Sequence, residues 1–305
     1  MSVVLRTNGL IQILSMFYEI ENYVREDNMN VSLRHFKKFV HSKYAMALPV
    51  TFLILFVSTL CIVSFTYYFS VGKVNSQGQT LKVSTAKESL ISLNNEIIST
   101  LGQPGSSTTF DLIDSGGLLK IQPTSNVLTL NINDSFDIEE TIFNTSIGKI
   151  TYQLPFSSSS QTGLYLKGDS LTIANQSGSS TSQLCIASGA EHPEIRLQYR
   201  PTVSYAAAGL EDGKVVNIIR IYIVNLNSSL EISLRGEFPL QISCISAELE
   251  SKIFEVSSSV RNLALTSVLN GVGGSVYVPI SSTTQGAIIH IETVVSNVSI
   301  QRWIR

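Results

Sequence analysis

Hydrophobic positions fall into three patterns along this chain. The first is a solid block, Ala45 to Phe69 (AMALPVTFLILFVSTLCIVSFTYYF), with no charged residue between Lys43 and Lys73. A bilayer core of roughly 30 Å needs about 20 helical residues, so the block predicts a transmembrane helix over 45–69. Tyr44, Tyr67, Tyr68 and Phe69 stand at its two ends, where aromatic rings favour the headgroup level. Pro49 falls in the first turns, where a missing N–H costs little.

The second pattern covers 70–101. Val74, Leu81, Leu90, Leu93, Ile97 and Leu101, with Ala86 between, recur at helical spacing among Lys, Gln and Glu. This predicts a helical stalk continuing out of the membrane, loosened at Gly72 and Gly78 and stopped by Gly102–Gln103–Pro104–Gly105. Its stripe has two ways to be buried: as a core helix of the following domain, or against copies of itself. Spacing alone favours the first.

From Thr108 the period changes to two. FDLI, LLKIQ, VLTLNIN, GKITYQL, GLYLK, SLTIA, QLCIA and EIRLQY come first; VVNIIRIYIVNL, SLEISLRG, FPLQISCIS, KIFEV, LALTSVL, SVYVPI, AIIHIETVV and VSIQRWI follow. Short alternating runs separated by Gly, Ser, Asn and Asp predict an antiparallel β-sandwich-like domain. The run Tyr205 to Gly209 reads as a boundary, dividing the strands into 106–205 and 210–305. The fold class expected is therefore mainly β with one long N-terminal α-helix.

Ahead of the apolar block, 1–43 carries Leu10, Ile11, Leu14, Phe17, Tyr18 and Val24 at helical spacing. An amphipathic helix on the inner leaflet and a later translation start, for example at Met29, are both open. Arg34, Lys37, Lys38 and Lys43 flank the block on this side and only Lys73 on the other. The positive-inside rule then puts 1–43 in the cytoplasm and 70–305 outside the cell membrane. The block exceeds a signal-peptide core and lacks a convincing cleavage site after it, so it reads as a retained single-pass anchor.

Composition agrees with an exported domain. Charged residues make up 14% of the chain, low beside the usual quarter of a soluble globular protein, and a net charge of −2 offers no basic surface for nucleic acid. Asn133, Asn144, Asn175, Asn227 and Asn297 each have Ser at +2, making them candidate glycosylation sites on the outer side, most of them at predicted turns. Cys185 and Cys244 are open to two readings: a disulfide, which an oxidising compartment permits, or two separate buried thiols. Cys61 reads as a small residue of the span.

Candidate chemistry is sparse, and no enzyme, metal or cofactor is expected. Glu191–His192–Pro193–Glu194 reads as an acidic turn, and His290 as a strand-face residue. Asp111, Asp114, Asp134, Asp137, Glu139 and Glu140 read as turn acids without the spacing of a calcium loop. Gly271–Val272–Gly273–Gly274 lacks the lysine of a phosphate loop and reads as turn glycines.

The plan of apolar helix, continuing helix and strand-rich outer domain resembles archaeal type IV pilin-like and archaellin-like membrane proteins. ALPVTFLILFVSTLCIVSFTYYFSVGKVNSQGQTLKVSTAKESLISLNNEIIST and the LGQPGSSTTFDLIDSGGLLKIQP after it carry the likeness. TGLYLKGDS, AEHPEIRLQYRP and RIYIVNLNSS resemble the outer regions of archaeal single-pass membrane proteins. The resemblance implies a processing site, for which Ala45–Met46 is the candidate, although no acid lies between Met46 and Gly72. It implies a non-enzymatic subunit or accessory component of a pilus-like filament or envelope complex. Its partners would be the lipid bilayer and further copies through 45–101. The alternative is an uncut, membrane-anchored adhesion module recognising a glycan or an envelope protein.

Overall fold

The computed structural model describes residues 47–134, 138–154, 162–175, 180–189 and 192–303. The segment 1–43 and the candidate cut at Ala45–Met46 lie outside them. Contacts divide the chain into two compact units, Met1–Val74 and Asn75–Arg305.

One helix, α1 (Ala47–Thr100), contributes to both units. It is long and apolar enough to cross a membrane. In the first unit its side chains from Pro49 to Val74 are all exposed, Phe65 to 74%. Three hydroxyls on this surface are satisfied within the helix. Ser58 and Thr59 donate to the Leu55 carbonyl at 2.9 and 2.7 Å, and Thr66 donates to that of Ile62 at 2.8 Å. Internal satisfaction of this kind is what a lipid-facing helix requires. Gly72 and Gly78 do not interrupt it.

In the second unit, Val83, Ala86, Leu90, Leu93 and Ile97 are buried against the unit's own strands. The stripe is thus part of the domain core. It starts later than spacing suggests, because Val74 and Leu81 are 65% and 67% exposed. Helical spacing identifies one side of a helix but not how far along it a partner reaches. The chain leaves the helix at Gly102 and Gly105, whose φ values of +76° and +84° suit glycine.

Among the described residues fourteen strands follow: β1 (Ser107–Leu112), β2 (Leu118–Asn133), β3 (Glu139–Gln153), β4 (Tyr165–Lys167), β5 (Ala174–Asn175), β6 (Ser182–Ser188) and β7 (Pro193–Tyr199); then β8 (Thr202–Glu211), β9 (Lys214–Asn225), β10 (Ile232–Arg235), β11 (Phe238–Val256), β12 (Asn262–Leu269), β13 (Val272–Pro279) and β14 (Ala287–Arg302). They form a β-sandwich-like pair of sheets. One has six strands in the order β1-β11-β14-β9-β8-β5; the other has eight, β13-β12-β2-β3-β7-β6-β4, with β10 paired to β2. Most pairings are antiparallel, but β14 and β9 run parallel over Ala287–Asn297.

Several runs that read as separate strands are one. LLKIQ and VLTLNIN are β2, bulged between Gln122 and Asn126 where Pro123 interrupts donation; FPLQISCIS and KIFEV are β11, bulged between Cys244 and Ser246. The boundary expected at Tyr205–Gly209 is corrected: β8 runs through it, paired to β9. Small alanines there mark a strand edge and a bulge at Gly209, and each sheet takes strands from both sides of that point. Two tight turns are set by Asp212–Gly213 and Asn270–Gly271, each with both residues at positive φ, the hairpin chemistry of such dipeptides.

Two hydrophobic clusters form the core of the domain, and they divide the long strands rather than the chain. β14 supplies Ala287, Ile289 and Ile291 to one and Val298 and Ile300 to the other. β2 and β3 divide likewise, Leu128–Ile132 and Ile142–Ile147 on one side, Leu119–Ile121 and Ile150–Tyr152 on the other. In β9, Ile223 belongs to one cluster and Val224 to the next. Successive side chains leave a strand on opposite faces, so the two clusters are built on opposite faces of β9.

Candidate functional site

Where β11 and β14 pass from one cluster to the other, their residues turn polar and a cleft of ≈ 790 Å³ opens. It is lined by Ile142–Thr145 of β3, by 225–228 after β9, by Glu248–Glu250 of β11, and by Thr293, Val295 and Asn297 of β14. Its polar groups are held in place. The Asn297 side-chain amide donates to Ser246 Oγ and Glu248 Oε1, both at 2.9 Å. Buried Asn225 accepts from the Asn227 N–H at 3.0 Å, and Asn144 accepts from Thr129 Oγ1 at 3.2 Å. Just beyond, Lys252 bridges β11 to Glu140 of β3 at 2.7 Å.

Three of the five candidate glycosylation asparagines, Asn144, Asn227 and Asn297, line this one cleft. The expectation that most of the five lie at turns is corrected: Asn144 and Asn297 are inside strands. Only Asn227 is in a turn, while Asn133 and Asn175 end β2 and β5. The Asn297 nitrogen already makes two hydrogen bonds, so a glycan there would take the hydrogen of at least one of them.

A second polar constellation is structural. Arg200 is fully buried, and its guanidinium pairs with Asp169, donates to the Leu171 carbonyl at 2.7 Å and, through Nε, to Ser180 at 2.9 Å. Gln183 donates to the Asp169 and Leu171 carbonyls at 2.7 and 2.8 Å. Together they clamp the loop between β4 and β5. The hydrogen bond from Arg200 holds the Asp169 carboxyl below its usual range. A depressed folded-state value means that the stabilisation is complete above the unfolded carboxylate pKa and is lost as pH falls through the folded one. Acid unfolding of wild type below about pH 4 should therefore be steeper than that of Asp169→Asn; equal slopes in a pH series of denaturant midpoints would refute the assignment. Next to Arg200, buried Tyr199 donates to Asn94 of α1 at 3.2 Å, fixing the helix to β7.

Cys185 and Cys244 do not form a bridge; both are free thiols. Cys185 alternates with inward-facing Leu184 and Ile186 and so points away from the core, whereas Cys244 shares the inward face of β11 with Leu240 and Ile242. His192 lies just before β7, where Glu194 pairs with Arg196 at 2.8 Å. His290 stands in register between Ile253 and Ile218 on neighbouring strands. Gly271 belongs to the β12–β13 hairpin turn and Gly273–Gly274 to β13. Asp114 and Asp134 each accept a backbone N–H, from Gly116 and Ile138, at 2.7 and 2.9 Å. Among the described residues, no three of His, Cys, Asp and Glu gather as metal ligands would.

The cleft residues Asn225, Glu248 and Glu250 were not singled out by sequence. A signal exists: Glu248, Glu250 and Lys252 occupy alternate positions of a strand whose continuation, Phe254 and Val256, is apolar on the same phase. Compared with protein-family models, with curated proteins and with solved structures, the chain matches none.

Proposed function

We propose that this chain is a non-enzymatic, membrane-anchored surface protein that serves as a pilin-like subunit of a filament or envelope complex. The observation that supports it is the double use of α1. Its residues 49–74 present an apolar surface with no protein cover, and its residues 83–97 are part of a β domain's core. A plain tether does not need the second role. In this reading the basic flank keeps the N-terminus in the cytoplasm and the β domain faces outward, with sugars on its sequons. Because the 83–97 stripe is already covered, self-association falls to the stretch before Val83.

Intact mass of the native protein, with sedimentation of the membrane extract, tests the reading. A mature N-terminus at Met46 in large assemblies is the expected result. A mass beginning at Met1 in a monomer would remove the filament role. The amide-lined cleft favours a second reading, an uncut adhesion module, for which that mass is the expected one.

A further inference from the structure

We propose that the cleft between β3, β11 and β14 binds a neutral saccharide. The proposal deepens the adhesion reading, yet it does not depend on whether the anchor is cut, so intact mass and binding can fail separately.

Four observations carry it. First, the cleft opens where the hydrophobic filling divides in two, with Asn225 buried in its wall and Asn144, Glu248 and Glu250 open to solvent. Second, the groups are pre-set. Asn297 fixes Glu248 through one carboxylate oxygen, Oε1, and Asn225 fixes the turn bearing Asn227. A ligand would meet donors and acceptors that need little reordering.

Third, the chemistry selects a class. Side-chain amides both donate and accept, and carboxylates accept in two directions, which suits the paired hydroxyls of a sugar. No Lys, Arg or His lines the cleft while two glutamates do, which disfavours phosphates, nucleotides and acidic sugars. Fourth, ≈ 790 Å³ lies within the roughly 300–1,000 Å³ of small-molecule sites, room for more than one ring.

The test uses the full chain, produced without N-glycosylation and held in a detergent that has no sugar headgroup. Calorimetric titration with chitotetraose, mannotetraose and maltotetraose should give saturable binding for at least one, and weaker binding of trigalacturonic acid. Asn144→Leu and Glu250→Gln should each weaken that binding at least tenfold, while Glu211→Gln, an exposed acid outside the cleft, leaves it unchanged. Melting temperatures within experimental error of wild type establish that the variants are folded; if one is not, the other decides. The proposal is overturned if none of the three neutral sugars binds at millimolar concentration, or if both variants bind as wild type does. Tighter binding of the acidic sugar, or binding abolished by a chelator, would overturn it equally, the last by giving the carboxylates to a cation.

Discussion

Leu93→Ala is expected to lower the stability of the β domain by about 2–5 kcal/mol, the range for removing a large apolar side chain from a packed core. Leu93 is fully buried in the cluster that also holds Leu90, Ile97, Leu119 and Tyr199. Truncation removes its apolar burial and leaves a cavity between helix and sheet that rigid strands close only in part. Leu81→Ala provides the contrast. Leu81 belongs to the same helical stripe by spacing but is 67% exposed, and its loss should change stability by less than about 0.5 kcal/mol. Denaturant midpoints of the full chain in nanodiscs, followed by the strand signal in circular dichroism, measure both. Equal, small effects would mean that the helix is not a core element, and the proposed double use of α1 would fall with it.

The second large effect lies at Arg200. Its side chain is wholly buried while that of Asp169 is 46% exposed, so the two partners are not equivalent. Asp169→Ala leaves a buried guanidinium without its counter-charge, a loss of about 3–5 kcal/mol. Arg200→Met removes the charge and keeps the volume. It takes from the Ser180 carbonyl the donor that Arg200 supplies at 2.9 Å, at about 1–3 kcal/mol, while the Leu171 carbonyl keeps Gln183 as its donor at 2.8 Å. Asp169 is then eased by its access to water. The double variant Asp169→Ala/Arg200→Met should cost less than the sum of the two, by a coupling of about 0.5–3 kcal/mol. Strict additivity in the same denaturation assay would show that the pair does not act as a unit.

Much of this fold is written locally. The uncharged block gave a helix long and apolar enough to cross a membrane, because length and apolarity are both counted along the chain. The switch of period near Thr108 gave the sandwich for the same reason. What failed depended on partners distant in sequence. Val74 and Leu81 satisfy helical spacing as well as Leu90 does, but only the sheets decide where the cover begins. Tyr205 to Gly209 looks like a linker because alanines are small, and it is a strand because β9 lies beside it. The change of phase in β14, from Ile289 and Ile291 to Val298 and Ile300, is visible in the sequence as Val-Val-Ser-Asn-Val, yet its meaning needs the second cluster. The candidate cleft was the least legible, since Asn144, Asn225, Glu250 and Asn297 are brought together only by pairing across both sheets.

The position of β14 bears on how the domain comes into being. The final strand of the chain order is not at an edge: it lies between β11 and β9, and its parallel partner β9 begins some seventy residues earlier at Lys214. Until Ala287–Arg302 has emerged, β11 and β9 each present an open row of amides and carbonyls, the kind of edge that recruits foreign strands. Synthesis proceeds from the N-terminus, so the domain cannot complete itself piece by piece as it is made. Pairings this distant in sequence are also slow to form. Synthesis of this protein therefore includes an interval in which a nearly complete sheet waits for its centre, and an occupant that fills the gap in the meantime would hold the domain open.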